Sequence, residues 1–110
     1  MVLLGDLGAG KTHFCKGIAK GLGIKENVTS PTFTLHNVYY GKLILNHFDF
    51  YRLGEEEGES LGFEEIIGNE KGVSVIEWAF NCPKLLPKNY TTVTLTPSGE
   101  DERQIEIKKV

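Results

Sequence analysis

The stretch Gly5-Asp6-Leu7-Gly8-Ala9-Gly10-Lys11-Thr12 decides how the rest of the chain is read. It follows the apolar run Met1-Val2-Leu3-Leu4, which reads as the end of a buried strand. It precedes Lys11 to Leu22, where Phe14, Ile18 and Leu22 recur at helical spacing along one face. Gly23 is placed to stop that helix. Strand, glycine-rich bend and a helix opening on Lys-Thr together match the phosphate-binding loop G-x-x-x-x-G-K-[ST]. Glycines let the backbone turn tightly, so that successive N–H groups point inward at phosphate oxygens. The helix start adds the positive end of its dipole. Lys11 is positioned to reach the β- and γ-phosphates, and the Thr12 hydroxyl to ligate Mg²⁺. The bland alternative, a glycine-rich turn beside a lysine, does not call for these flanks.

Composition bounds what surrounds the loop. The chain has 110 residues, 40% hydrophobic and 25% charged, which predicts one domain over residues 1–110 with a modest core. No apolar run approaches the roughly 20 residues of a membrane span. Twelve Lys and Arg against 15 Asp and Glu leave a net charge of −3. With arginine only at 52 and 103, strong direct binding of nucleic acid is not expected. Cys15 and Cys82 form neither a disulfide framework nor a metal motif, and the opening residues do not read as an export signal. The expectation is a cytoplasmic protein.

Beyond Gly23, a polar loop carries Thr29, Ser30 and Thr32 around Pro31, a candidate switch that senses the γ-phosphate through the metal; an ordinary polar turn is the simpler reading. Residues 33–40 and 42–49, joined at Gly41, are rich in β-branched and aromatic side chains and predict a hairpin or two adjacent strands. Leu43 to Asp49 and Val73 to Trp78 are mostly apolar strands that end in an acid, at Asp49 and Glu77. Phosphate-loop ATPases hold Mg²⁺ with such an acid beside the loop, and a second acid there ligates the metal or orients the attacking water. Unpaired buried acids are costly, so the loop makes both residues candidates. His47 shares a strand face with Asp49 and can contact the site, whereas His13 reads as packing or surface. Gly54 to Lys71 is acidic, with Leu61, Phe63, Ile66 and Ile67 suggesting one short amphipathic helix or helical turns, weakened by glycines. It is either a solvated face or a docking surface for a basic partner. Residues 91–95 and 104–107 alternate around Pro97-Ser98-Gly99, predicting a half-exposed antiparallel hairpin.

Several readings of a phosphate-loop domain remain open. No Asn-Lys-x-Asp motif is present, which favours ATP over GTP. A small-molecule kinase of this fold usually covers its phosphates with arginines, and this chain has few. An arginine finger is worth about 10³–10⁵ in rate, so the chain predicts an ATPase that is slow alone and completed by a partner. A non-catalytic, nucleotide-dependent binding module is the third reading; two strand-end acids exceed what mere binding needs.

Four blocks in order, Gly5 to Thr12, Thr29-Ser30-Pro31-Thr32-Phe33-Thr34-Leu35, His47-Phe48-Asp49-Phe50-Tyr51-Arg52-Leu53 and Ile76-Glu77-Trp78, resemble the TsaE (YjeE-type) ATPase family of tRNA threonylcarbamoyladenosine biosynthesis. The resemblance covers about residues 1–80. It implies a cytoplasmic, Mg²⁺-dependent ATPase that does not itself modify tRNA but assists the TsaD–TsaB complex, which stimulates its weak hydrolysis. It also implies a three-layer α/β phosphate-loop domain, for which we expect a mixed, mostly parallel sheet with an antiparallel C-terminal hairpin. By position, Asp6, Leu7, Gly8, Ala9, Gly10, Lys11, Thr12 and Thr32 are expected to bind ATP. Lys11, Asp49 and Glu77 are expected to be catalytic, and Thr12, Glu77 and Asp49 to hold the metal. Glu77 is favoured for Mg²⁺, Asp49 for metal or water, and Trp78 is the aromatic that accompanies them. Family members carry a helix and the start of the first strand ahead of the loop, and this sequence opens within that strand. An N-terminal contact to adenine, and a strand or covering element of the sheet, are therefore expected to be missing.

Overall fold

Val2-Leu3-Leu4 is apolar at every position, as a strand buried on both faces must be, and it lies inside the sheet. The computed structural model describes residues 1–5, 10–31, 33–97 and 103–109. In chain order these form β1 (Val2–Leu4), α1 (Lys11–Gly21), β2 (His36–Tyr40), β3 (Ile44–Asp49), α2 (Glu55–Ser60), α3 (Phe63–Ile67), β4 (Gly72–Glu77), β5 (Thr91–Pro97) and β6 (Arg103–Lys109). Two single 3₁₀ turns, Ala79–Asn81 and Pro83–Leu85, follow β4. The described strands make one sheet in the order β2-β3-β4-β1-β5-β6. β3, β4, β1 and β5 run parallel, while β2 and β6 pair antiparallel at the two edges. This is the mixed, mostly parallel sheet with a C-terminal hairpin that the sequence predicts. None of the helices among the described residues is long and apolar enough to cross a membrane.

Side chains alternate across the sheet, and each face has its own cover. Leu3, Leu45, Val75, Val93 and Leu95 pack with α1. Val2, Phe48, Phe50 and Ile76 face the other way, onto Leu53, Phe63 and Leu85. On that side Phe48 packs edge-on to Phe63 at 5.0 Å between ring centroids and stacks on His36 at 4.3 Å. Each layer hides one cysteine: Cys15 under α1 and Cys82 on the opposite face, where its Sγ donates to the Leu53 carbonyl at 3.3 Å.

Three details depart from the sequence pattern. On α1 the fully buried line is Cys15 and Ala19, with Phe14, Ile18 and Leu22 flanking it as partly buried neighbours. Small side chains occupy the line of closest approach to the sheet, and the large ones seal its sides. The acidic segment forms two short helices rather than one, broken at Gly62, whose φ of 73° takes the backbone left-handed. The C-terminal hairpin is not half-buried throughout. Ile105 and Ile107 lie opposite the buried Leu95 and Val93 but are 52% and 64% exposed. β6 carries the α1 face of the sheet beyond the helix, so its alternation meets no core.

Candidate active site

The parallel strands end together, and their carboxyl ends carry the polar residues of the α1 face. Open α/β sheets bind ligands just outside this edge. Leu3 pairs with Glu77 across β1 and β4, and Asp49 pairs with Glu77 across β3 and β4. Residues in register share a face, which sets Glu77 directly beside the strand that leads into the glycine-rich segment and Asp49 one strand further out. Asp49 and Glu77 are 5% and 7% exposed, so neither is an ordinary surface acid at a strand end.

Beyond β1, Gly5 has φ 148° and Gly10 has φ 93°, conformations in which a side chain would be strained. Gly10 is the N-cap of α1 and, lacking a side chain, leaves the first-turn amides uncapped from that position. Lys11 and Thr12 open the helix as half-buried residues. The lysine reaches back over the strand ends. Its Nζ lies 3.5 Å from Glu77 Oε1 and 5.4 Å from the centre of the Trp78 ring. Trp78 is held there by a left-handed backbone at φ 59°, which ends β4 abruptly and turns the indole across the lysine. Such a conformation costs a bulky residue roughly 1–2 kcal/mol. Tyr51, leaving β3, meets the same indole at 4.9 Å.

Glu77 is therefore the hub. Its Oε1 faces Lys11, and its Oε2 accepts a hydrogen bond from His47 Nε2 at 2.7 Å. Burial pushes the carboxyl up, but the hydrogen bond and charge of His47, with the lysine beside it, outweigh that and hold it below the usual carboxylate range. Cys15, one turn along α1 from Lys11, places Sγ 3.5 Å from His47 Nε2. Burial, and then the Glu77 charge, push this thiol up to about 12. Asp49 is arranged differently. Its Oδ1 accepts the Tyr51 N–H at 2.9 Å, a turn that leads the chain out of β3.

The structure thus joins Lys11 and Glu77 directly and sets Asp49 beside Glu77 on the neighbouring strand. Asp6, Leu7, Gly8, Ala9 and Thr32 lie outside the described residues. Thr29 is exposed, and its backbone is tied to β2, its N–H donating to Tyr39 Oη at 3.1 Å. His13 is exposed, as the simpler reading has it. The sequence reading put His47 within reach of the site; it did not foresee Cys15. The spacing of Lys11, Cys15 and Ala19 was the available signal, since residues four apart on a helix share a face. Glu56, Glu57, Glu59, Glu64 and Glu65 form an exposed acidic surface on the other side of the sheet.

A hydroxyl and two carboxylates are hard oxygen donors, the kind Mg²⁺ takes. Thr12, Glu77 and Asp49 fit that requirement by chemistry.

Comparison with known proteins adds to this geometry. The family profile described as "Threonylcarbamoyl adenosine biosynthesis protein TsaE" matches residues 1–105. Three curated relatives carry the name tRNA threonylcarbamoyladenosine biosynthesis protein TsaE. The one from Bacillus subtilis is 45% identical over all of this chain and 69% of its own length. The one from Treponema pallidum is 45% identical over 97% of this chain and 79% of its own, and that from Nostoc is 46% identical over 97% and 68%. The crystal structure of Bacillus subtilis YdiB superposes with a TM-score of 0.72 at 38% identity, covering 94% of this chain; the chain spans 63% of that one. Family profile, sequence kinship and fold agree, and the chain belongs to the TsaE family.

Proposed function

We propose that this protein binds ATP with Mg²⁺, hydrolyses it to ADP and phosphate, and serves as the ATPase subunit that supports threonylcarbamoyladenosine modification of tRNA, working with the TsaD–TsaB complex in the cytoplasm. What carries the reading is the convergence of Lys11 on Glu77 at the carboxyl ends of β1 and β4, 3.5 Å apart, with the start of α1 beside them. A lysine held in a nearly buried ion pair at the mouth of a phosphate loop is a cation waiting for a better anion. The curated relatives' shared name supplies the pathway.

In this reading the residues of the loop, Asp6 to Gly10 with Lys11 and Thr12, cradle the phosphates, and Thr32 senses the terminal one. Lys11 leaves Glu77 for the β- and γ-phosphates. Thr12 and Glu77 hold Mg²⁺, which would neutralise charge on the phosphate oxygens. Water would attack the γ-phosphorus as the bond to the β-phosphate oxygen breaks, its proton passing to the released phosphate; with Glu77 given to the metal, Asp49 is the residue left to orient that water. The scarcity of arginine leaves little to neutralise the transition state from within, so the partner complex is expected to raise a low basal rate.

The test is Mg²⁺-dependent phosphate release by the protein alone and with TsaD–TsaB, beside a nucleotide-dependent pull-down comparing wild type with Lys11→Ala. We expect slow hydrolysis, a rise with the complex, and loss of both in Lys11→Ala. Absence of any rise refutes the assisting role. Phosphate transfer to a metabolite instead would identify a kinase.

A further inference from the structure

His47 is fully buried, yet its Nδ1 makes no hydrogen bond among the described residues. A buried polar atom left in that state is destabilising by about 1–3 kcal/mol. An apolar side chain at this position on β3, between Leu45 and the site, would avoid that penalty. The reason for an imidazole must lie in its other nitrogen. Nε2 is 2.7 Å from Glu77 Oε2, and a carboxylate can only accept, so the proton sits on Nε2 and points at Glu77.

The two oxygens of Glu77 are thereby given different work. Oε1 faces Lys11 at 3.5 Å, and Oε2 is held from below by His47. The lysine contact does not survive nucleotide binding under the ATPase reading, because the ammonium is needed at the phosphates. The histidine contact comes from the adjacent strand and is wholly inside the protein, where the Cys15 thiol, 3.5 Å from the same Nε2, is a much weaker acceptor than the carboxylate at 2.7 Å. We propose that His47 is the positioning residue of Glu77: it pins Oε2 so that, when Lys11 departs, Oε1 stays aimed at the phosphate and metal side of the site. His47 touches no reacting atom in this scheme; it acts through the carboxylate, as outer partners of metal ligands do.

This inference rests on the ATPase reading, and the experiment separates the two. His47→Asn and His47→Gln bury the same amide, but only glutamine extends far enough to place an N–H where Nε2 now lies. Affinity for a fluorescent ATP analogue is measured without and with Mg²⁺, beside steady-state hydrolysis. We expect His47→Asn to bind the analogue normally without metal, to lose its Mg²⁺-dependent gain in affinity, and to show kcat lowered about ten-fold or more with little change in KM. His47→Gln should recover most of both. Equal loss in the two variants, or equal loss of metal-free binding, overturns the proposal in favour of a packing role. If the wild type binds nucleotide but does not hydrolyse it, the ATPase reading fails, and the Mg²⁺-dependent affinities alone decide about His47. A wild type with no such gain overturns it too. Should His47→Asn not fold, the His47 ring proton followed by NMR in the wild type gives the answer. It should persist, bonded to Glu77, when Mg²⁺ and a non-hydrolysable ATP analogue are added, and its disappearance overturns the proposal.

Discussion

Replacing Lys11 with methionine keeps an unbranched, apolar stem one atom shorter and removes the ammonium group with its charge. At 3.5 Å and an effective dielectric near 20, the Coulomb attraction between Lys11 and Glu77 is about 5 kcal/mol before desolvation is subtracted. Both side chains are about one-tenth exposed, so the pair behaves as a buried one. Breaking such a pair from one side generally destabilises by about 3–5 kcal/mol, because the remaining charge is left without its partner. Here Glu77 keeps the His47 hydrogen bond, which places the expected loss at the lower end, about 3 kcal/mol. For a domain of this size that lowers Tm by about 12 °C or more. Adding Glu77→Gln to Lys11→Met removes the stranded charge, and the double variant should regain at least half of the lost stability while still failing to bind nucleotide. Calorimetry and urea titration of the four proteins in this cycle measure the coupling directly. A Lys11→Met protein that melts with the wild type, or a double variant less stable than either single one, would show that the two charges do not lean on each other.

Two further outcomes follow from particular contacts. Because the Glu77 carboxyl is held below its ordinary range in the fold, its contribution to stability is complete above the unfolded-state value of about 4.3 and is lost as pH falls through the lower folded value. The stability difference between wild type and Glu77→Gln should therefore shrink below about pH 4, and a difference independent of pH would contradict this. At the β2–β3 turn, a methyl group on Gly41 would run into the Leu22 carbonyl oxygen, which already accepts the Lys42 N–H at 2.7 Å. Gly41→Ala should destabilise by about 1–3 kcal/mol in chemical denaturation; an unchanged midpoint would mean the turn does not press on α1.

The parts of this molecule that could be read from sequence are those in which one short segment carries its own physics. The helix that opens at Lys11, the apolar strands ending at Asp49 and Glu77, and the hairpin around Gly41 declare themselves through local pattern. The convergence of Lys11 with Glu77 depends on β4 lying beside β1, a long-range pairing that no window of sequence contains. Cys15 was hidden for a related reason: the larger Phe14 and Ile18 dominate the apolar periodicity, whereas the sheet accepts the small side chains nearest to it. Ile105 and Ile107 alternate as a core strand would, but whether a strand has a core to face is settled by how far α1 extends over the sheet.

The two buried cysteines, one on each side of the sheet, make the protein its own recorder of motion. Neither thiol is within reach of an alkylating reagent while the layers are closed, and burial raises the pKa of both. Labelling at Cys15 clocks the lifting of the helix that bears Lys11, and labelling at Cys82 clocks the peeling of the acidic helices opposite. A ligand that clamps one side alone would slow one clock and leave the other running.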